Sequence, residues 1–299
     1  MTNNGVEQKP SETALFATLR RAIAYKEHQN DKFGPDYLAE SFLPAHFKFF
    51  LRFRMLRTNV MNKLDTALPG LNEYMIARTA YFDSHFANAL KNNTPQIVLM
   101  GAGYDTRAFR FAKLNQGTKI FELDAAPTQN KKKECLKKAG LSIPQELNFV
   151  PINFNEELLG TVLEAAGYSN SEKTLFIWEG VSYYLDPQSV AATLASFNHS
   201  SHPESVITFD YIISVPEEKM TDYYGVQEFS QTMAEHHANE GLVFSIEEDE
   251  IGAYLERNQL KIVEHLDNEE IESNYLTDEN GLLLGHMTGH FHFVTASKK

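Results

Sequence analysis

Five short apolar runs mark the middle of the chain, at 96–100, 119–124, 147–152, 174–179 and 205–210. Between them, at 105–114, 127–139, 156–166 and 187–199, apolar residues recur at helical spacing. Near-continuous apolar strands alternating with helices predict a parallel sheet covered on both faces. A helix precedes them from Thr13, where Leu15, Leu19, Ala22 and Ile23 share a face and Ser11 or Thr13 can cap. After the turn signal Phe33-Gly34-Pro35-Asp36 comes a helical stretch rich in Phe (Phe42, Phe47, Phe49, Phe50, Phe53), read as core or lid packing. A third helix is predicted over 72–90, with Tyr74, Ala77, Tyr81 and Phe82 on its apolar face. Beyond the fifth run lie a helix at 247–257 and strands at 260–266 and 289–296. The 215–239 segment is too long for a tight connection and is expected to form a lid or extra helices. The pattern predicts an α/β fold: a doubly wound, Rossmann-like sheet, mostly parallel with an antiparallel C-terminal strand. Its expected organisation is a flexible tail (1–12) and one domain (13–299). That domain divides into a helical lid (13–92), a ligand-binding core (93–210), an insertion or lid (211–246) and C-terminal strands (247–299).

Charge changes the picture in two places. The 299 residues carry 27 Lys and Arg against 40 Asp and Glu, a net of −13. Such a balance disfavours nucleic acid and anionic membranes as partners, since both are recognised through basic surface. Nearly all of the excess lies in 235–280, with fourteen acids against Arg257 and Lys261. The 41–64 segment has five bases (Lys48, Arg52, Arg54, Arg57, Lys63) and no acid; the plainer reading is two solvated faces, and the sharper one is that the basic segment covers a site that receives an anion. Lys131-Lys132-Lys133 reads as a solvated helix face. A single cysteine, Cys135, excludes an intrachain disulfide. The first residues are polar and no apolar run reaches the ~20 residues of a membrane span, so a cytoplasmic protein is expected.

Candidate chemistry gathers at the ends of the first strands. Gly101-Ala102-Gly103-Tyr104-Asp105-Thr106-Arg107 follows the first run. The two glycines can close a tight turn that lets backbone approach a ligand. A dinucleotide fingerprint would place a third glycine near Arg107, so a pyrophosphate across the helix end is disfavoured. Asp124 ends the second run, 21 residues past Gly103, where an acid can accept both hydroxyls of a ribose. Together these signals point to a nucleoside-bearing ligand.

The run from Gly101 to Arg110 closely resembles the first motif of the leucine carboxyl methyltransferase family. Arg78-Thr79-Ala80-Tyr81-Phe82-Asp83 is similar to that family's Arg-Thr…Asp helix, and Phe121-Glu122-Leu123-Asp124 to its second motif. Trp178-Glu179-Gly180-Val181-Ser182-Tyr183-Tyr184-Leu185 is similar to its Glu-Gly…Tyr-Leu motif. The resemblance implies a class I methyltransferase fold with S-adenosyl-L-methionine as cofactor and a small-molecule acceptor. It implies that Arg78 holds the cofactor's carboxylate, a role suited to a guanidinium fork; a surface ion pair with Asp83 or Glu73 is the alternative. Gly101, Ala102, Gly103 and Asp105 would line the methionine portion. Asp124 with Ala125 would meet the ribose, and Glu179 with Gly180 the amino-acid end. Where the family shows Asp-Leu, this chain has Asn153-Phe154, which would read the adenine. Arg21 resembles the family's basic residue in the first helix that closes over the site.

Methyl transfer from a sulfonium needs an aligned nucleophile. A carboxylate requires no base; a phenol or enol would be helped by His286, His290, His292 or a tyrosine of the Tyr183-Tyr184 pair. The pairs His236-His237 and His290/His292 lack a placed third ligand, so no metal is expected. The expected activity is O-methylation of a small-molecule carboxylate or hydroxyl. Methylation of a protein C-terminal carboxylate, and a catalytically inactive cofactor-binding regulator, are the alternatives.

Overall fold

The computed structural model describes residues 9–30, 32–154, 156–236 and 242–299. Strands β1 (Gln96–Met100), β2 (Lys119–Asp124), β3 (Leu147–Pro151), β4 (Thr174–Trp178) and β5 (Val206–Ser214) pair in parallel. The two-residue β6 (Ile246–Glu247) pairs with the end of β5; β7 (Leu260–Leu266) and β8 (Phe291–Lys298) complete the sheet. The order is β3-β2-β1-β4-β5-β8-β7, and β8 runs antiparallel to both neighbours. Chain order reverses between β1 and β4, and such a switch point opens a crevice beyond the carboxyl ends of the strands.

In β1 every residue is buried, but alternate residues serve different cores. Ile97 and Leu99 join Tyr81, Phe82 and Phe86 on one face; Val98 and Met100 join Phe121, Phe176 and Trp178 on the other. Burial on both faces explains why the strands read as unbroken apolar runs.

Four helices precede the sheet: α1 (Glu12–His28), α2 (Ala45–Leu51), α3 (Arg54–Ala67) and α4 (Leu71–Lys91). Ser11 caps α1, its side chain accepting the Ala14 amide, while its own amide donates to Thr128 Oγ1. The Phe-rich stretch does not pack as expected. The chain breaks at Arg52-Phe53 between α2 and α3, leaving Phe49 and Phe53 60% and 47% exposed, whereas Phe42 is buried.

Later helices are α5 (Arg107–Arg110), α6 (Ala126–Lys138), α7 (Leu159–Ala165), α8 (Pro187–Ser200), α9 (Val226–His236) and α10 (Ile251–Arg257). The helix expected over 105–114 shrinks to the single turn α5, followed by backbone-bonded turns over 111–114. Asp105 accepts the Arg107 amide, and Asn115 Oδ1 accepts those of Gly117 and Thr118. The helix expected from 247 starts at Ile251, because Ile246 and Glu247 pair with Ile213 and Ser214 instead. The last strand lies two residues later than expected. Among the described residues no helix is long and apolar enough to cross a membrane.

Candidate active site

The glycine turn after β1 has the geometry its sequence requires. Gly101 and Gly103 have φ of +69° and +51°, the left-handed region. A Cβ at Gly101 would stand 2.6 Å from Val181 Cγ2, and one at Gly103 would stand 3.0 Å from Ala14 Cβ. Helix α1 therefore lies directly over the turn. Asp124, at the end of β2, braces it from below: Oδ2 accepts the Gly103 amide at 2.6 Å and Oδ1 the Ala125 amide at 2.7 Å. Burial raises the Asp124 carboxyl above its ordinary range, against the lowering effect of those amides. The Thr128 side chain is a third partner, which leaves the carboxylate one lone pair. The Ala102 amide donates to Leu123 O, pinning the turn to β2.

Asp105 begins a chain of buried charges. Burial alone would raise its carboxyl, but Arg107 and Lys132 hold it below the usual range. Arg107 Nη1 contacts Asp105 Oδ2 at 2.5 Å and Glu179 Oε2 at 2.7 Å, while its Nε donates to Asp83 Oδ1 at 2.7 Å. Arg110 grips both Asp83 oxygens, at 2.5 and 2.7 Å, and lies 3.7 Å from Asp36. Arg21 donates to Asp36 Oδ2 at 2.9 Å and to Tyr104 O at 2.9 Å. On the other side, Arg78 Nε lies 3.2 Å from Glu179 Oε1, and its Nη1 donates to Tyr183 OH at 3.1 Å and faces Asp210 Oδ2 at 3.6 Å. Alternating charges thus run from α1 to the middle of β5.

Arg78 is 5% exposed, so the surface pair with Asp83 or Glu73 does not form; Asp83 belongs to Arg107 and Arg110. Burial would strip the guanidinium's charge, yet Tyr74, Tyr183, Glu179 and Asp210 hold it firmly protonated. Its Nε is buried and, though 3.2 Å from Glu179 Oε1, makes no hydrogen bond among the described residues. Gly180 makes room for it: with φ +70°, a Cβ there would sit 2.8 Å from Arg78 Nη1. The Gly180 amide donates to Asp210 Oδ1 at 2.7 Å.

The other expected residues lie around this centre. Asn153 and Phe154 follow β3, both half-buried; the Asn153 amide donates to Glu157, and Phe154 packs against the core behind the sheet. Tyr183 is buried against Phe291, and Tyr184 is half-buried with its ring 4.8 Å from that of Tyr183. Burial and then Asp210 push the Tyr183 hydroxyl well above its ordinary pKa. His290 bonds Thr288 Oγ1 and packs against Phe229 and Phe291; burial lowers it to about 3. His292 faces Tyr211 and His265, and burial lowers it to about 4. His286 is exposed and pairs with Glu272 at 3.0 Å. His237 and the side chain of His236 lie outside the described residues.

Three site features escape the sequence reading. Lys132 is not solvated: it is fully buried and its Nζ bonds Glu122 Oε2 at 2.5 Å. Burial pushes the Glu122 carboxyl up to about 7 despite that partner. Spacing could have exposed it, since Thr128, Gln129, Lys132, Cys135 and Leu136 form one buried face of α6. Asp210, an acid inside the apolar run of β5, was a second available signal. The third, Tyr74, donates to Asp210 Oδ2 from what reads as a simple apolar helix face.

Comparison with known proteins settles the family. The leucine carboxyl methyltransferase family model matches residues 14–198, more than half of the chain. The chain belongs to this family. It is an S-adenosylmethionine-dependent methyltransferase. Over 226 residues it is 32% identical to the Bacillus subtilis (strain 168) protein YktD, named as a methyltransferase dependent on that cofactor, covering 75% of this chain and 72% of YktD. A protein of Mycobacterium sp. (strain JLS) with the same kind of name is 29% identical over 60% of this chain and 59% of its own. In fold, this methyltransferase is similar to a Streptomyces avermitilis protein of the duf574 family (TM-score 0.62, 12% identity, covering 98% and 99% of the two chains). It is also similar to a Thermobifida fusca YX protein (TM-score 0.59, 13% identity, 97% and 96%).

Proposed function

We propose that this methyltransferase transfers a methyl group to a carboxylate oxygen of a small molecule, with the cofactor held in the crevice between the glycine turn and the Arg78–Glu179 pair. Bound S-adenosylmethionine supplies an electrophilic methyl on a sulfonium. The residues present fit it. Asp124, partnered by Gly103, Ala125 and Thr128, keeps one lone pair to offer a ribose hydroxyl. The buried Arg78 guanidinium, whose Nε lacks a hydrogen bond, is suited to the cofactor's carboxylate, with Glu179 beside it for the ammonium. Asn153 and Phe154 stand after β3, where an adenine would be read. The charge chain from Arg21 to Asp210 contains five carboxylates and four guanidiniums, a balance that favours a cationic ligand.

The observation that favours a carboxylate acceptor is the state of the nominated bases. Tyr183 is held neutral by burial and Asp210, and a phenol in that state takes no proton. A histidine lowered to about 3 or about 4 by burial is a weak base. An acceptor that is already ionised needs none of them; the protein then aligns and desolvates it. Labelled methyl transfer to a panel of carboxylic acids and phenols tests this. Incorporation into carboxylic acids is expected; incorporation into phenols alone would overturn the reading.

A further inference from the structure

The break between α2 and α3 leaves an apolar corner in water. Phe49, Phe53 and Met55 are exposed, Met55 by 74%, and Leu56 and Val60 extend the exposed apolar surface along α3. The rings of Phe49 and Phe53 meet edge to face with centres 5.2 Å apart, so they form one patch. Scattered exposed apolar residues are ordinary, but adjoining aromatic and methionine side chains at one corner mark a contact surface. The corner is anchored from below. Leu51 is buried in one cluster with Leu19, Ala22 and Ile23 of α1. Arg57 is buried too, its Nε donating to Glu27 at 2.7 Å and its Nη1 to Leu51 O at 2.6 Å.

Charge selects what covers the patch. Arg52 and Arg54 flank Phe53 and are exposed, as is Lys63 further along α3, and no acid occurs from 41 to 64. Glu27, the acid bonded to this segment, is already engaged by Arg57. The net charge of −13 weighs against an anionic surface only at long range. Exposed charges are screened beyond about 8 Å at physiological salt, so the local bases decide at contact. A second copy of the chain, offering its acidic 235–280 region, is the competing cover. That contact would set Phe49, Phe53 and Met55 against the polar lining of Glu248, Asp249, Asp267 and Glu269. It would also join two different surfaces, and a head-to-tail contact must close a ring or extend without limit.

We propose that this corner docks on an anionic lipid surface. Phe49, Phe53 and Met55 enter the boundary between headgroups and acyl chains, and Arg52, Arg54 and Lys63 meet lipid phosphates. Ile23, in the cluster that anchors the corner, lies nine residues, or about 14 Å, along α1 from Ala14 over the glycine turn. Docking thus holds the crevice near the lipid.

Sedimentation of the full chain with vesicles tests this, using phosphatidylcholine alone and phosphatidylcholine with phosphatidylglycerol. Partitioning is expected to be about 10-fold stronger on the anionic vesicles and to fall as salt rises from about 0.1 M to about 1 M. Phe49→Ser with Phe53→Ser, and separately Arg52→Gln with Arg54→Gln, should each lower it by about 10-fold. Lys137→Gln with Lys138→Gln removes the same charge from the exposed end of α6 and should leave binding unchanged. All these side chains are exposed, so melting temperatures should stay within about 2 °C of the wild type. Should the phenylalanine pair melt lower, the arginine pair and its lysine control decide. No preference for anionic vesicles, an equal loss in the lysine control, or binding that survives both corner variants would each overturn the docking. So would self-association without vesicles, seen by analytical ultracentrifugation and abolished by the phenylalanine pair, since that assigns the corner to a second copy.

Discussion

Asp124 has two tasks at once. Its oxygens brace the amides of Gly103 and Ala125, with Thr128 as a third partner, and its proposed second task is to accept a ribose hydroxyl. The two tasks separate by substitution. Asp124→Asn keeps one accepting oxygen and the side-chain shape, while Asp124→Ala removes both. Calorimetry should show S-adenosylmethionine affinity falling about 10-fold in the first and about 100-fold or more in the second, from the worth of charge-assisted hydrogen bonds. Unchanged affinity in Asp124→Ala would mean that the ribose lies elsewhere. At the same scale, Gly101 and Gly103 are legible in sequence because no other residue combines a positive φ with the close approach of Val181 and Ala14. Lys132 was illegible from its neighbours. Three lysines in a row look solvated, and only its pairing with Glu122 across α6 and β2 makes burial tolerable.

At the level of elements, ion pairs bind α1, α4 and α5 to the ends of β1, β4 and β5. Arg107 is the hub, joining Asp83 on α4, Asp105 in the turn and Glu179 after β4. Arg107→Met should leave buried carboxylates uncompensated and cost about 3–5 kcal/mol in urea unfolding. A loss within about 1 kcal/mol would show that the chain of pairs does not support the fold. Apart from β5, which runs four residues past its expected end, and the unexpected β6, the strands match within a residue or two, because burial on both faces leaves an unbroken apolar signature. Helix ends were read less well. At α5 one helical turn gives way to backbone-bonded turns over 111–114, and before α10 a short pairing with β5 claims Ile246 and Glu247. The α2–α3 region misled for another reason. Its phenylalanines have helical spacing, yet the break at Arg52-Phe53 turns Phe49 and Phe53 outward. The candidate site was legible as single residues at strand ends; the pairing of Arg78 with Glu179 and Asp210 exists only across elements distant in sequence.

Across the whole molecule, acid and base are segregated. Of the five bases of 41–64, Lys48 lies on α2, Arg52 in the break after it, and Arg54, Arg57 and Lys63 on α3; Arg52, Arg54 and Lys63 are exposed, whereas Arg57 is buried against Glu27. Among the described acids of 235–280, Glu248, Asp249, Asp267 and Glu269 line a pocket with His265 of the edge strand β7. Two buried histidines set an acid limit on stability. His290 and His292 have pKa values lowered from 6.5 to about 3 and about 4, so below pH 6.5 the unfolded chain takes up protons that the folded chain refuses. Their contribution is fully present above pH 6.5 and is lost as pH falls toward 4. By pH 5 the loss is at most about 2 kcal/mol for each histidine. Denaturant unfolding at pH 7 and pH 5 checks this, with His290→Asn and His292→Asn each expected to reduce the difference. The molecule as a whole is read as a carboxylate methyltransferase, and the chemical stability of its product bears on that most directly. Methyl esters release methanol in mild alkali, whereas methyl ethers do not. With labelled S-adenosylmethionine and an acceptor from the panel, the account predicts that mild alkali frees the transferred label as volatile methanol. Label that stays on the product after alkali would contradict it.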